Sequence, residues 1–131
     1  MATIISSIKG RRLGLDTSDN LVIGAGTVSV PSGTASATAG AATLAKLSGK
    51  ITSEALTTAA AAAYTLTLTN TEIAAADLVF ASVGYGTSTT GTPVVTRVTP
   101  AAGSVVIVVQ NVHASAALNG TIVVSFFVVK P

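Results

Sequence analysis

The chain has no cysteine and no tryptophan, and only 9% of its 131 residues are charged. Without cysteine, no disulfide frames the fold and no thiolate metal site exists. A charge content so far below the roughly 25% of an ordinary soluble domain leaves little to solvate a free surface. We read this as a surface largely covered by other protein. Aromatics are only 4% and histidine occurs once. A stacking platform for nucleic acid and a histidine-rich metal cluster are therefore both missing. No continuous apolar stretch precedes Lys9 as a secretory leader would require. The longest apolar run, Ile122 to Val129, is interrupted by Ser125 and far short of the roughly 20 residues of a membrane helix. No nucleic-acid and no membrane partner is expected, and no cofactor.

What the chain does have is threonine alternating with large apolar residues. Tyr64-Thr65-Leu66-Thr67-Leu68-Thr69 has the period of two that marks a strand with one face buried. Asp77 to Val83 reads as the next strand. Further starts at Ala2, Leu21, Thr27, Leu44, Ile51, Val94, Val105 and Thr121 give about eight to ten short strands at sandwich spacing. The expected fold is all-β: an antiparallel β-sandwich with a jelly-roll-like body and an extended N-terminal arm. The arm covers residues 1–32, a flexible connection residues 33–42, and the body residues 43–131. Gly49 reads as a bend in a strand, Thr71 as the cap of a helical turn over Glu72 to Ala76, and Gly84 to Pro93 as a long flexible tip. Pro100 to Gly103 reads as a turn, and so does Asn119-Gly120. The Asn119-Gly120-Thr121 glycosylation pattern yields to the turn reading.

No catalytic or metal constellation emerges. His113 has no second ligand near it in sequence, and Asp16, Asp19, Glu54, Glu72 and Asp77 are scattered. Gly24-Ala25-Gly26 lacks the rest of a phosphate loop. Arg97, in mid-strand, is expected in an ion pair or an interface.

The last strands break the rule that one sheet face is polar. Ile122, Val124, Phe126 and Val128 make one apolar face, and Val123, Phe127 and Val129 make the other nearly so. Each such residue is worth roughly 1.5–3 kcal/mol when buried. A subunit interface through Val123, Phe127 and Val129 is the expectation, in a homotrimer; cover by the N-terminal arm within one subunit is the competing explanation.

Residues 43–130 resemble short virion proteins of tailed bacteriophages. The likeness rests on Leu47-Ser48-Gly49-Lys50-Ile51-Thr52, the run Tyr64 to Val79 with Asn70-Thr71-Glu72-Ile73-Ala74-Ala75-Ala76-Asp77, Asn111, and Phe126 to Lys130. Gly10 to Asp16 is similar to the openings of such proteins. The resemblance implies a non-enzymatic capsid decoration (cement) protein on the capsid exterior of the virion, with the major capsid protein and its own copies as partners. It brings no catalytic residues. On this reading Lys9, Arg11, Arg12, Leu13 and Leu15 contact the shell. The alternative is a head or tail fibre module that attaches to host-surface glycan, for which only Tyr64 and Tyr85 are available as tyrosine platforms.

Overall fold

A computed structural model of the chain describes residues 6–8, 11–15, 21–23 and 30–131. It divides into two units, Met1–Val30 and Pro31–Pro131. In the first, β1 (Ser6–Ile8), β2 (Arg11–Leu15) and β3 (Leu21–Ile23) form an antiparallel sheet in chain order. The expected Thr27 strand and Lys9 lie outside the described residues.

The second unit is all-β, with no helix among its described residues. β4 (Ser32–Ser36), β6 (Ser48–Thr52), β13 (Ile122–Val129) and β9 (Leu78–Tyr85) make one sheet, in the order β4-β6-β13-β9. The other contains β10 (Pro93–Ala101), β11 (Ser104–Asn111), β8 (Ala63–Thr69) and β5 (Ala41–Thr43), in the order β10-β11-β8-β5. A short ribbon pairs β7 (Leu56–Thr58) with β12 (Leu118–Gly120). The all-β sandwich expected from the alternation is what forms.

The core is where the two inner faces meet. In β8, Tyr64, Leu66 and Leu68 are buried and the threonines between them exposed. β11 lies antiparallel beside it, pairing Ile107 with Leu66 and Val105 with Leu68. From the opposite sheet come Ile51, Ile122, Val124 and Phe126, with Leu56 and Leu118 from the ribbon. Period-two alternation thus sorts each strand into a core side and an outer side.

The segment read as a flexible connection, residues 33–42, holds most of β4 and the start of β5, and the compact unit begins at Pro31 rather than residue 43. Both strands join in parallel, β4 to β6 and β5 to β8, so the sheets are mixed at these edges rather than wholly antiparallel. Small residues make this possible. Gly33 pairs with Gly49. A Cβ on Gly49 would stand 2.7 Å from the Gly33 carbonyl oxygen and 2.5 Å from Leu44 Cδ2. Gly49 is therefore no bend; it sits inside a regular strand because nothing larger fits.

Pro100 lies within β10, an edge strand, where a missing N–H is tolerated; the turn is only Ala102-Gly103, with Gly103 at φ 78. Asn119-Gly120 belongs to β12 rather than to a hairpin turn. No helical turn forms over Glu72 to Ala76; the Asn70 Oδ1, not Thr71, accepts the Glu72 N–H at 3.0 Å.

Candidate functional surface

The outer face of the β4-β6-β13-β9 sheet carries the uncommitted chemistry of this unit. Register stacks its outward residues into cross-strand rows. Leu78 pairs with Val129, and Phe80 with Phe127. Next comes a polar row, Ser82, Ser125, Lys50 and Thr34, and then Gly84, Val123, Thr52 and Ser36. Phe80 and Phe127 stack with ring centroids 5.0 Å apart and planes 12° from parallel. Both are about half exposed, at 52% and 45%, and Leu78 and Val129 are exposed beside them. Four large apolar side chains at adjacent positions form the kind of patch that marks an interaction surface.

Of the expected interface residues, Val123, Phe127 and Val129 all lie on this outer face, with Val123 the least exposed. Leu78 and Phe80 are their missed neighbours. Their signal was present: Leu78, Phe80, Ser82 and Gly84 share one face of β9 by simple alternation.

A shallow groove crosses the same face. One stretch of about 210 Å³ lies beside Phe80, Ser82, Ser125 and Phe127. A second, of about 440 Å³, continues past Ser125 along Ser48, Lys50, Thr34 and Ser32. The groove follows the row of small hydroxyl residues, with the phenylalanine pair standing as its wall. Lys50 is the one charged residue in it.

The residues expected to touch the shell fall in the other unit. Arg11 and Arg12 are neighbours in β2, level with Ile8 and Ser7 of β1. Register puts Leu13 level with Ile23 and Leu15 level with Leu21.

The tip read as flexible is clamped. Thr89 and Thr90 donate their backbone N–H groups to Asn119 Oδ1, each at 3.0 Å. Thr87 and Thr121 bond side chain to backbone in both directions. The Tyr85 hydroxyl donates to the Gly91 carbonyl at 2.7 Å. Tyr85 keeps an exposed ring, whereas Tyr64 is buried and cannot serve as a surface platform. The Tyr64 hydroxyl donates to Glu54 Oε2 at 3.0 Å; burial, and then that carboxylate, push the phenol pKa well above its ordinary value.

The remaining polar groups are structural. His113 Nδ1 accepts the N–H groups of Ser115 and Ala116, so that nitrogen is occupied in a turn. Arg97 follows a bulge in β10, is exposed, and makes no ion pair among the described residues. Asp77 accepts the Ala74 N–H and pairs with Lys130 at 2.5 Å; the backbone donor first, then the lysine, hold its carboxyl below the usual range. Lys130 also reaches the Glu72 carbonyl. Among the described residues no group of three His, Asp or Glu gathers as a metal site would require. No buried side-chain nitrogen or oxygen among them lacks a partner. No known protein family, curated protein or solved structure matches the chain.

Proposed function

We propose that this chain is a non-enzymatic structural component of a tailed-phage particle: a decoration protein that binds the outside of a capsid shell and stabilises it. The observation that carries the reading is the apolar outer face built on Phe80 and Phe127, on a body whose interior polar groups are satisfied. Ordinary soluble domains cover or avoid such a face. A protein whose work is to sit against other protein presents it.

The mechanism involves no turnover. The sandwich is the rigid body, and the outer face is the adhesive. Covering the remaining exposed area of Leu78, Phe80, Phe127 and Val129 at about 25 cal/mol per Å² contributes about 9 kcal/mol gross per copy, much of it offset by the freedom lost on association. The net is modest for one site. A homotrimer that engages three such sites at once converts it into durable retention through effective concentration. The N-terminal strands, with Arg11, Arg12, Leu13 and Leu15, supply a further contact to the shell.

Electron cryo-microscopy of the particles that carry this chain tests the reading. The expected density is a β-sandwich on the capsid exterior, and Phe80→Ser with Phe127→Ser strips it from otherwise intact particles. Absence from purified particles, or a position inside the shell, overturns the proposal.

A further inference from the structure

We propose that the groove across the β4-β6-β13-β9 face is a docking site for an extended, carboxylate-bearing segment of a different protein, held by Lys50 at one end and the Phe80–Phe127 pair at the other. This rests on the decoration reading and names the chemistry of its partner.

The argument is one of complementarity. The groove is lined at this end by the stacked phenylalanines together with Ser82 and Ser125. It then runs past Lys50 toward Thr34 and Ser32. Lys50 is exposed, and the ion pair of this unit belongs to Lys130 and Asp77 instead. An occupant must offer aliphatic or aromatic side chains to the phenylalanines, backbone groups to the serine hydroxyls, and an acid to Lys50. An extended chain crossing the strands does all three.

A second copy fits the same face poorly. Face-to-face packing would set Lys50 against a surface with no carboxylate, since the outward rows hold only hydroxyl, glycine and apolar residues besides it. The acids of the body are placed elsewhere. Glu54 accepts from Gly40 N–H and Tyr64. Asp77 is buried against Ala74 and Lys130. Only Glu72 remains, in a loop outside this sheet. The copy-to-copy use of Val123, Phe127 and Val129 is thus the competing occupant.

The test uses the full chain, its Lys50→Glu and its Phe80→Ser variants on a random-sequence peptide array, with oligomeric state read by light scattering. Wild type is expected to select peptides that place an Asp or Glu near aliphatic residues, with binding weakened by salt. Lys50→Glu is expected to lose those peptides by about tenfold and to gain Lys- or Arg-bearing ones. Phe80→Ser loses both classes. Both positions are exposed, so circular dichroism should show all three proteins folded. The proposal is overturned if no peptides are selected, if Lys50→Glu leaves the charge of the selected peptides unchanged, or if wild type is an oligomer that Phe80→Ser converts to monomer. Should the peptides be selected while the chain is absent from particles, the decoration reading fails and the groove assignment stands. Should particles carry the chain with Lys50→Glu retained as well as wild type, the reverse holds.

Discussion

Replacing Asn111 with alanine should cost this protein a large share of its stability. Asn111 ends β11 and is wholly buried. Its Nδ2 donates to the carbonyls of Ala116 at 2.8 Å and of Thr58 and Ala59 at 3.2 Å each. With two hydrogens for three carbonyls, one hydrogen is shared. Its Oδ1 accepts the N–H groups of Thr92 at 2.9 Å and His113 at 3.2 Å. One side chain therefore ties four separate pieces of backbone: the end of β7, the approach to β10, and both ends of the 112–117 loop. Alanine strands two N–H groups and takes a donor from the Ala116 and Thr58 carbonyls, while the Ala59 carbonyl keeps the Ala62 N–H. At about 1–2 kcal/mol for each stranded donor, and less for carbonyls that keep some access to water, the loss is about 3–5 kcal/mol. Against the 5–15 kcal/mol typical of a domain, that is severe. In urea, with a slope of about 2 kcal/mol per molar, the midpoint should fall by about 2 M at unchanged slope. Asn111→Asp should do at least as badly at neutral pH, because a carboxylate keeps the acceptor and turns its other oxygen on three carbonyls. A loss under about 1 kcal/mol for the alanine variant would refute the reasoning, since surface substitutions cost that little.

Two further outcomes follow from the geometry. Gly49→Ala should destabilise by about 1–3 kcal/mol, because its Cβ meets the Gly33 carbonyl and a Leu44 methyl group, and amide exchange in β4 should accelerate before that in β8 or β11. Asp77 has a depressed carboxyl pKa in the folded chain, so its contribution is present above the ordinary carboxylate value and is lost as the pH falls through the folded one. The stability gap between wild type and Asp77→Asn, followed by denaturation, should hold steady from about pH 7 to about pH 5 and shrink in acid; a gap that widens in acid would contradict the assignment.

The strands that announce themselves in the sequence are those with a strict alternation or a long apolar run. β8 is legible because threonine and leucine alternate, β11 because β-branched residues run unbroken from Val105 to Val109, and β13 because its apolar run breaks only at Ser125. β4 and β5 are illegible for a physical reason. Their partners are distant and their pairing is parallel; what admits β4 is the absence of side chains at Gly33 and Gly49, and β5 is entered through Gly40, where a Cβ would stand 2.6 Å from the Thr65 carbonyl oxygen, and such glycines read locally as looseness. The clamped tip misled in the same way: Gly, Ser and Thr are flexible-loop composition until Asn119, thirty residues on, accepts two of the loop's N–H groups. On the outer face Phe127 could be singled out, but its partner Phe80 became visible only when register placed them side by side. Asn70 and Asn111 gave the least signal, since a single asparagine at the end of a strand looks like any turn residue.

Those two asparagines also explain how so uncharged a chain holds one shape. They sit at opposite ends of the β8–β11 pair, Asn70 beside Gly103 and Asn111 beside Ala62, and both are wholly buried. Each satisfies backbone that the loops would otherwise leave open, so uncharged side chains pin the sandwich at both ends, and Lys130, paired with Asp77, adds a bond to the Glu72 carbonyl beside Asn70. That leaves the two outer faces to set how the body meets its surroundings, and they differ in kind. The β8 side shows Thr65, Thr67 and Thr69, whose hydroxyls hold water without charge. The β13 side shows Phe80, Phe127, Leu78 and Val129, which hold none. The apolar residues of the β13 side are concentrated in the adjoining Leu78–Val129 and Phe80–Phe127 rows, whereas Val94, Val106 and Val108 on the other side stand among threonines and Gln110. On the proposed decoration reading that concentration, more than any single contact, sets the orientation in which the body lies against a shell.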